Sequence, residues 1–274
     1  MPLFRLPRRP SRAPGDGSPD VPLPGPSWSM SVLDLDPLPG VFAAPFARDR
    51  DVLLREGGNA GPPPEHAVLH LPGFRDYYFQ VQYAQEWRDA GFEFAALEGR
   101  RSGRALRRGE TPDDLVDLRH RHPEIAQAVA ALRADGVRTV TVTGYGLGAL
   151  TAALYAHDHP GDVDALVLCS PWLDHPRCFT STVKPLGLVR VLGRVAPRAV
   201  WSTADPTAVR ASHVDHGGDF DFDTRLKPVD PFPLRAGAVA AVVRAIREVR
   251  AGLALPMPVL VTTAAVSERP DRTR

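Results

Sequence analysis

Cysteine is nearly absent: Cys169 and Cys178 are the only two among 274 residues. Two thiols cannot build a disulfide framework, which points to a reducing compartment, the cytoplasm. Charge of one sign is not in excess either. Thirty-three Lys and Arg against 32 Asp and Glu leave a formal net charge of +1, so no global field draws the chain to nucleic acid or an acidic membrane. No apolar run reaches the length of a membrane span, and no internal repeat is visible. The opening "MPLFRLPRRPSRAPGDGSPDVPLPGPSWS" carries arginines but lacks the apolar core of a signal peptide. Its Pro and Gly deny it a helix or a ladder, so residues 1–30 are expected to be a disordered Pro/Arg-rich tail. The run "RLPRRPSR" is read as a solvated arm rather than a patch for anionic partners.

What remains is a chain with enough apolar residues, 43%, to bury a core in one domain with an inserted cap. From about residue 50, short apolar runs alternate with helical patterns. "HAVLHL" (66–71), "FEFAAL" (92–97), "TVTVT" (139–143), "DALVLCS" (164–170) and "PVLVTT" (258–263) read as strands. Between them, residues 77–91 and 123–136 read as helices. The second places Ile125, Ala128, Val129 and Leu132 on one face, with Pro123 in its first turn and Gly136 at its exit. Strands joined by helices imply parallel pairing with both sheet faces covered. The rhythm breaks over 172–235, rich in Pro, Arg, His and Asp, which reads as a cap over the strand ends. It returns at 236–253, where Val239, Val242, Val243, Ile246 and Val249 make a helical stripe.

The most informative stretch is "VRTVTVTGYGLGALTAALYAHDHP" (137–160). A Val/Thr strand meets three glycines and becomes an Ala/Leu-rich helix. That turn resembles the G-x-S-x-G nucleophile elbow of α/β-hydrolases, with Gly144, Gly146 and Gly148 in its small-residue and nucleophile places. "HLPGFRDYYF" resembles the oxyanion loop of that family, and "FEFAALEGRRSGRALRRG" and "VDALVLCSPWLD" resemble two further segments in the same order. The resemblance is to the serine aminopeptidase, monoacylglycerol lipase and lysophospholipase-like group and covers about residues 50–263. It implies a three-layer α/β-hydrolase fold with a mostly parallel sheet, and serine hydrolysis of carboxylic or lipid esters. It also implies oxyanion donors in the backbone N–H groups of Phe74 and Leu147.

The chemistry departs from that pattern. Gly146 stands where the serine should be and offers no nucleophilic atom. The family places its histidine after the last strands, whereas the final histidine here is His216. Glu268 and Asp271 fall where the acid is expected but have no histidine to orient. The chain also ends where a further strand and helix are expected, leaving 258–263 as an open edge that invites a second copy. The expectation is a protein that forms no acyl-enzyme but retains binding of a small apolar or acyl ligand, with Tyr145 and Trp172 as pocket walls. A working esterase or lysophospholipase with an unconventional nucleophile or a partner-supplied base is the alternative. An interaction protein using the sheet edge, or the product of a truncated gene, are others.

Three further motifs compete for function. "GYGLGA" fits a dinucleotide fingerprint, G-x-G-x-x-A, but at least three strand signals precede it, and no ribose-binding acid ends the next strand. "HVDHGGDFDFD" (213–223) holds His213, Asp215, His216, Asp219, Asp221 and Asp223. It reads as a structural loop, because Thr224 stands where a calcium loop needs its turn glycine. "GRRSGRALRRG" (99–109) offers five arginines to an anion, but reads more simply as a solvated loop. Ser170 sits on no elbow, and Cys178 is a bystander in the cap. No metal and no cofactor are expected. The domains read as a tail (1–30), a core (31–171 and 236–263), a cap (172–235) and a second tail (264–274).

Overall fold

The computed structural model describes residues 21–35, 49–56, 64–174 and 186–264. Strands β1 (Trp28–Leu35) and β2 (Asp49–Glu56) open the described fold. They are followed by β3 (His66–Leu71), α1 (Val81–Asp89), β4 (Glu93–Glu98), α2 (His122–Ala134), β5 (Thr139–Tyr145), α3 (Leu147–Asp158) and β6 (Ala165–Cys169). Next come α4 (Leu186–Val195), β7 (Val200–Thr203), α5 (Thr207–Ser212), β8 (Pro233–Arg235), α6 (Ala236–Ala251) and β9 (Val259–Thr262). Seven strands form one sheet in the order β1-β2-β4-β3-β5-β6-β9. The β1–β2 and β2–β4 pairs are antiparallel, and the others run parallel.

Sequence explains the layering. β3 is buried at every residue after His66, as a central parallel strand covered on both faces must be. On one face Ile125 and Leu132 of α2 and Ala149 and Ala153 of α3 pack against Val140, Val142 and Leu166. The other face of α3 (Leu147, Leu150, Leu154) meets the expected stripe of α6, Val239, Val242, Val243 and Ile246, together with Val189 of α4 and Trp201 of β7. Across the sheet, α1 covers Val68, Phe94 and Ala96. These are the three layers of the expected fold.

Two expectations need correction. The tail does not extend to residue 30. Trp28 is 5% exposed and its ring lies 5.2 Å from that of Tyr78 and 6.2 Å from that of Phe94, while Arg104 Nη2 donates to the Pro22 carbonyl at 2.8 Å. Apolar residues at the end of the Pro-rich segment find a partner surface that local composition does not reveal. The first helix begins at Val81, not 77. The Tyr77 and Tyr78 N–H groups are taken by the Asp76 and Glu98 carboxylates at 2.9 and 3.0 Å, which holds this segment out of the helix.

β9 pairs with β6 on one side only. Val259, Leu260 and Val261 are all exposed, so among the described residues neither face of this strand is covered. No helix among the described residues is long and apolar enough to cross a membrane.

Candidate functional site

Gly146 links β5 to α3 at φ 56°, ψ −109°, a region that side chains enter only under strain. Three backbone hydrogen bonds fix the turn. Gly146 N–H donates to the Cys169 carbonyl at 3.0 Å, and the Gly146 carbonyl accepts from Leu150 N–H and Trp172 N–H, each at 3.2 Å. The flanking glycines are demanded by packing. A Cβ at Gly144 would lie 2.5 Å from Ala149 N, and one at Gly148 would collide with the Leu71 and Pro72 carbonyls at the end of β3. This is the sharp strand-to-helix turn that holds a catalytic residue proud of a sheet, and here it holds a hydrogen atom. A Cβ at Gly146 would find Trp172 Nε1 at 3.1 Å and Cδ1 at 3.6 Å, so the indole edge stands where a nucleophile would emerge.

The loop after β3 lies against the same turn. A Cβ at Gly73 would be 3.3 Å from both the ring and the carbonyl of Tyr145. The Phe74 ring packs tilted against Trp172 at 5.9 Å and against Phe232 at 6.2 Å. Leu147 is buried and is the first residue of α3, so its N–H has no intrahelical acceptor. Tyr145 is 52% exposed. Beneath the turn lies a cavity of about 50 Å³ bounded by Pro72, Gly73, Leu147, Gly148 and Thr151, with Asp113, Arg121 and Glu124 on its polar side. It has room for a few waters and is well short of the ~300 Å³ a ligand pocket needs. Neither Tyr145 nor Trp172 lines it.

A family model for serine aminopeptidase, S33, matches residues 62–264. The chain belongs to this α/β-hydrolase family. Three solved structures are similar to it. A soluble variant of monoglyceride lipase from Saccharomyces cerevisiae is 15% identical with a TM-score of 0.59, over 80% of this chain and 74% of that one. The monoacylglycerol lipase of Paleococcus ferrophilus is 19% identical with a TM-score of 0.53, over 73% and 74%. A thermostable carboxyl esterase from Bacillus coagulans is 15% identical with a TM-score of 0.51, over 80% and 73%. At these identities the likeness speaks for the fold. No curated protein matches the chain.

In this α/β-hydrolase "GYGLGA" forms the strand-to-helix turn, and the first half of the arginine-rich loop, residues 100–105, is buried rather than solvated. Arg100, Arg101 and Arg104 are each under 5% exposed. Arg104 pairs with Glu98 through its side chain, and its backbone N–H donates to Glu98 Oε2 at 2.5 Å. Arg100 Nε meets Glu124 at 2.5 Å, and Asp114 takes Arg101 at 3.4 Å and Arg198 at 2.8 Å. Burial raises the pKa of Glu98, and Arg104 opposes the shift. The acids come from β4, from α2 and from residues 113–114, which the fold alone brings together. Composition could not show that the arginines were spoken for.

Three of the described histidines, His213, His70 and His122, have their surroundings set by other parts of the fold. Within the loop 213–223, His213 Nε2 lies 3.1 Å from the Phe222 carbonyl, and Nδ1 accepts from Asp215 N–H at 3.2 Å. Both ring nitrogens thus serve the loop. Among the described residues no three His, Cys, Asp or Glu gather as a metal would need. His70 is buried against Tyr78, Tyr83 and Phe94, and burial pushes its pKa down to about 3. His122 Nδ1 lies 3.6 Å from Asp158. Burial lowers the His122 pKa to about 4 against the opposing pull of Asp158. His175, Cys178, Glu268 and Asp271 lie outside the described residues. Ser170 is exposed with φ 44°, a left-handed conformation that its sequence does not announce. Its N–H donates to the Thr262 carbonyl at 2.7 Å.

Proposed function

We propose that this α/β-hydrolase binds a small apolar or acyl ligand beside the elbow and forms no acyl-enzyme. One observation carries the reading: the elbow backbone is kept at its strained angles while its central residue has no side chain and the Trp172 indole covers it. Acyl transfer needs an electron-rich atom at that point, and a base to activate it. What the site keeps is the means to hold a carbonyl. Leu147 N–H and Phe74 N–H are the proposed donors, and Tyr145, Trp172 and Phe74 the proposed apolar walls. The fold shared with monoglyceride lipases and a carboxyl esterase supports an ester or acyl ligand over other apolar molecules. Binding of methyl octanoate, read by tryptophan fluorescence without release of methanol, is the expected result. Sustained turnover would contradict it.

The exposure of Val259, Leu260 and Val261 favours a second reading, self-association. Two identical strands paired antiparallel about a twofold would continue the sheet. Light scattering should then give twice the chain mass, and a Leu260→Lys variant half of that. A monomeric parent protein would exclude this reading.

A further inference from the structure

Most arginines near the elbow are matched by acids, and Arg75 and Arg235 are among those that are not. Asp113 is engaged by the Arg75 backbone N–H at 3.0 Å and by the Arg121 guanidinium at 3.1 Å. Asp114 is shared by Arg101 and Arg198. The Arg75 guanidinium has no carboxylate within ion-pair reach among the described residues. Its Nε is buried with no hydrogen-bond partner among the described residues, and its Cζ lies 4.9 Å over the Phe232 ring. Arg235 donates to the Arg198 carbonyl at 2.6 Å and likewise meets no carboxylate among the described residues. Burial lowers the Arg75 pKa, Asp113 opposes this, and the charge of Arg235 lowers it further. Arg235 closes β8, three residues after the Phe232 over which the Arg75 guanidinium lies.

A buried, unpaired guanidinium nitrogen is expensive, and an apolar side chain could pack on Phe232 without that cost. Arg75 also sits at φ 53°, a strained conformation of the kind that gathers at ligand clamps. Its position is specific. Arg75 follows Phe74 directly and lies over the Phe232 ring, which packs tilted against Phe74, which in turn packs tilted against the Trp172 that covers Gly146. A row of apolar rings thus leads from the elbow to a planar cation with donors to spare.

We propose that Arg75, seconded by Arg235, receives the anionic head group, a carboxylate or a phosphate, of a ligand whose apolar part lies along Phe74 and Trp172. This rests on the ligand-binding reading above and adds the charge of the ligand to it. Guanidinium–carboxylate and guanidinium–phosphate contacts are charge-assisted and frequently bidentate, so the anion should bind at least about tenfold more tightly than a neutral counterpart.

The test uses the full chain and three probes, octanoate, octyl phosphate and methyl octanoate, titrated by calorimetry. Octanoate or octyl phosphate should surpass methyl octanoate by that factor, and the better of the two names the head group. Arg75→Met should erase the preference, bringing the affinities for the three probes together, and Arg75→Lys should restore part of it. Arg235→Met should weaken the anion alone, and it carries the test if Arg75→Met does not fold. Equal affinity for all three probes, or a preference that survives both Met substitutions, overturns the proposal and leaves ligand binding standing. Binding of none of them removes both.

Discussion

Gly146 is the position at which backbone geometry and lost chemistry can be weighed separately. At φ 56°, ψ −109° any L side chain is strained, at a cost of about 1–3 kcal/mol. The new Cβ would also stand 3.1 Å from Trp172 Nε1, so the indole must give by a few tenths of an ångström. Gly146→Ala and Gly146→Ser should therefore lose about 2–3 kcal/mol, most of it from the backbone. In a chain of this size that amounts to a fall in Tm of roughly 4–12 °C. Calorimetric melts of both variants measure it. Gly161→Ala is the control. Nothing lies within 4 Å of a Cβ there and its φ is not positive, so the change should stay within ~0.5 kcal/mol. Measured within a Trp172→Ala background, the cost of Gly146→Ala should fall by only the smaller, steric part. A Gly146→Ser protein as stable as the parent would refute the reasoning, since the turn would then not be held at the angles described.

Other consequences are as direct. Gly148→Ala drives a methyl group into the Leu71 and Pro72 carbonyls; it should unfold the protein or cost more than Gly146→Ala, and urea melts would show the reverse order if the packing is misread. Glu98→Ala strands the buried Arg104, and the loss should be about 3–5 kcal/mol; a loss under ~1 kcal/mol would mean that the pair is solvated after all. His70 and His122 have folded pKa values lowered to about 3 and about 4. The unfolded chain then binds more protons from about pH 6.5 downward, so their neutral burial costs nothing above that pH, and stability falls as the pH drops toward 3–4. His70→Phe should flatten the fall in Tm between pH 6.5 and 4 by an amount worth a few kcal/mol, and parallel curves for variant and parent would contradict the assignment.

The parallel half of the sheet was legible because each of its strands is a short apolar run closed by Gly, Pro or a helix signal. β3, β5 and β6 lie within two residues of the ranges read from sequence. The elbow was legible because three glycines at alternate positions between a strand and a helix have few other uses, and their separate roles in packing and backbone angle emerge from the geometry. Long-range pairing was not legible. Trp28 belongs to the core because Tyr78 and Phe94 wait for it across the sheet, and no local pattern says so. The loop 99–109 looked solvated because its acids lie at Glu98, Asp114 and Glu124, the last 25 residues beyond Gly99. Arg75 and Phe232, 157 positions apart in sequence, were missed for the same reason. Only an arginine next to the loop after β3 could have hinted at it.

A tight turn without a nucleophile cannot hold an acyl group, and a fluorophosphonate probe shows whether any other side chain of this protein does. Incubated with purified protein and followed by intact mass, the probe should leave the chain at its unmodified mass, with Gly146→Ser no more reactive. One equivalent of adduct on any native side chain, Ser170 included, together with ester turnover lost when that residue is replaced, would contradict the account.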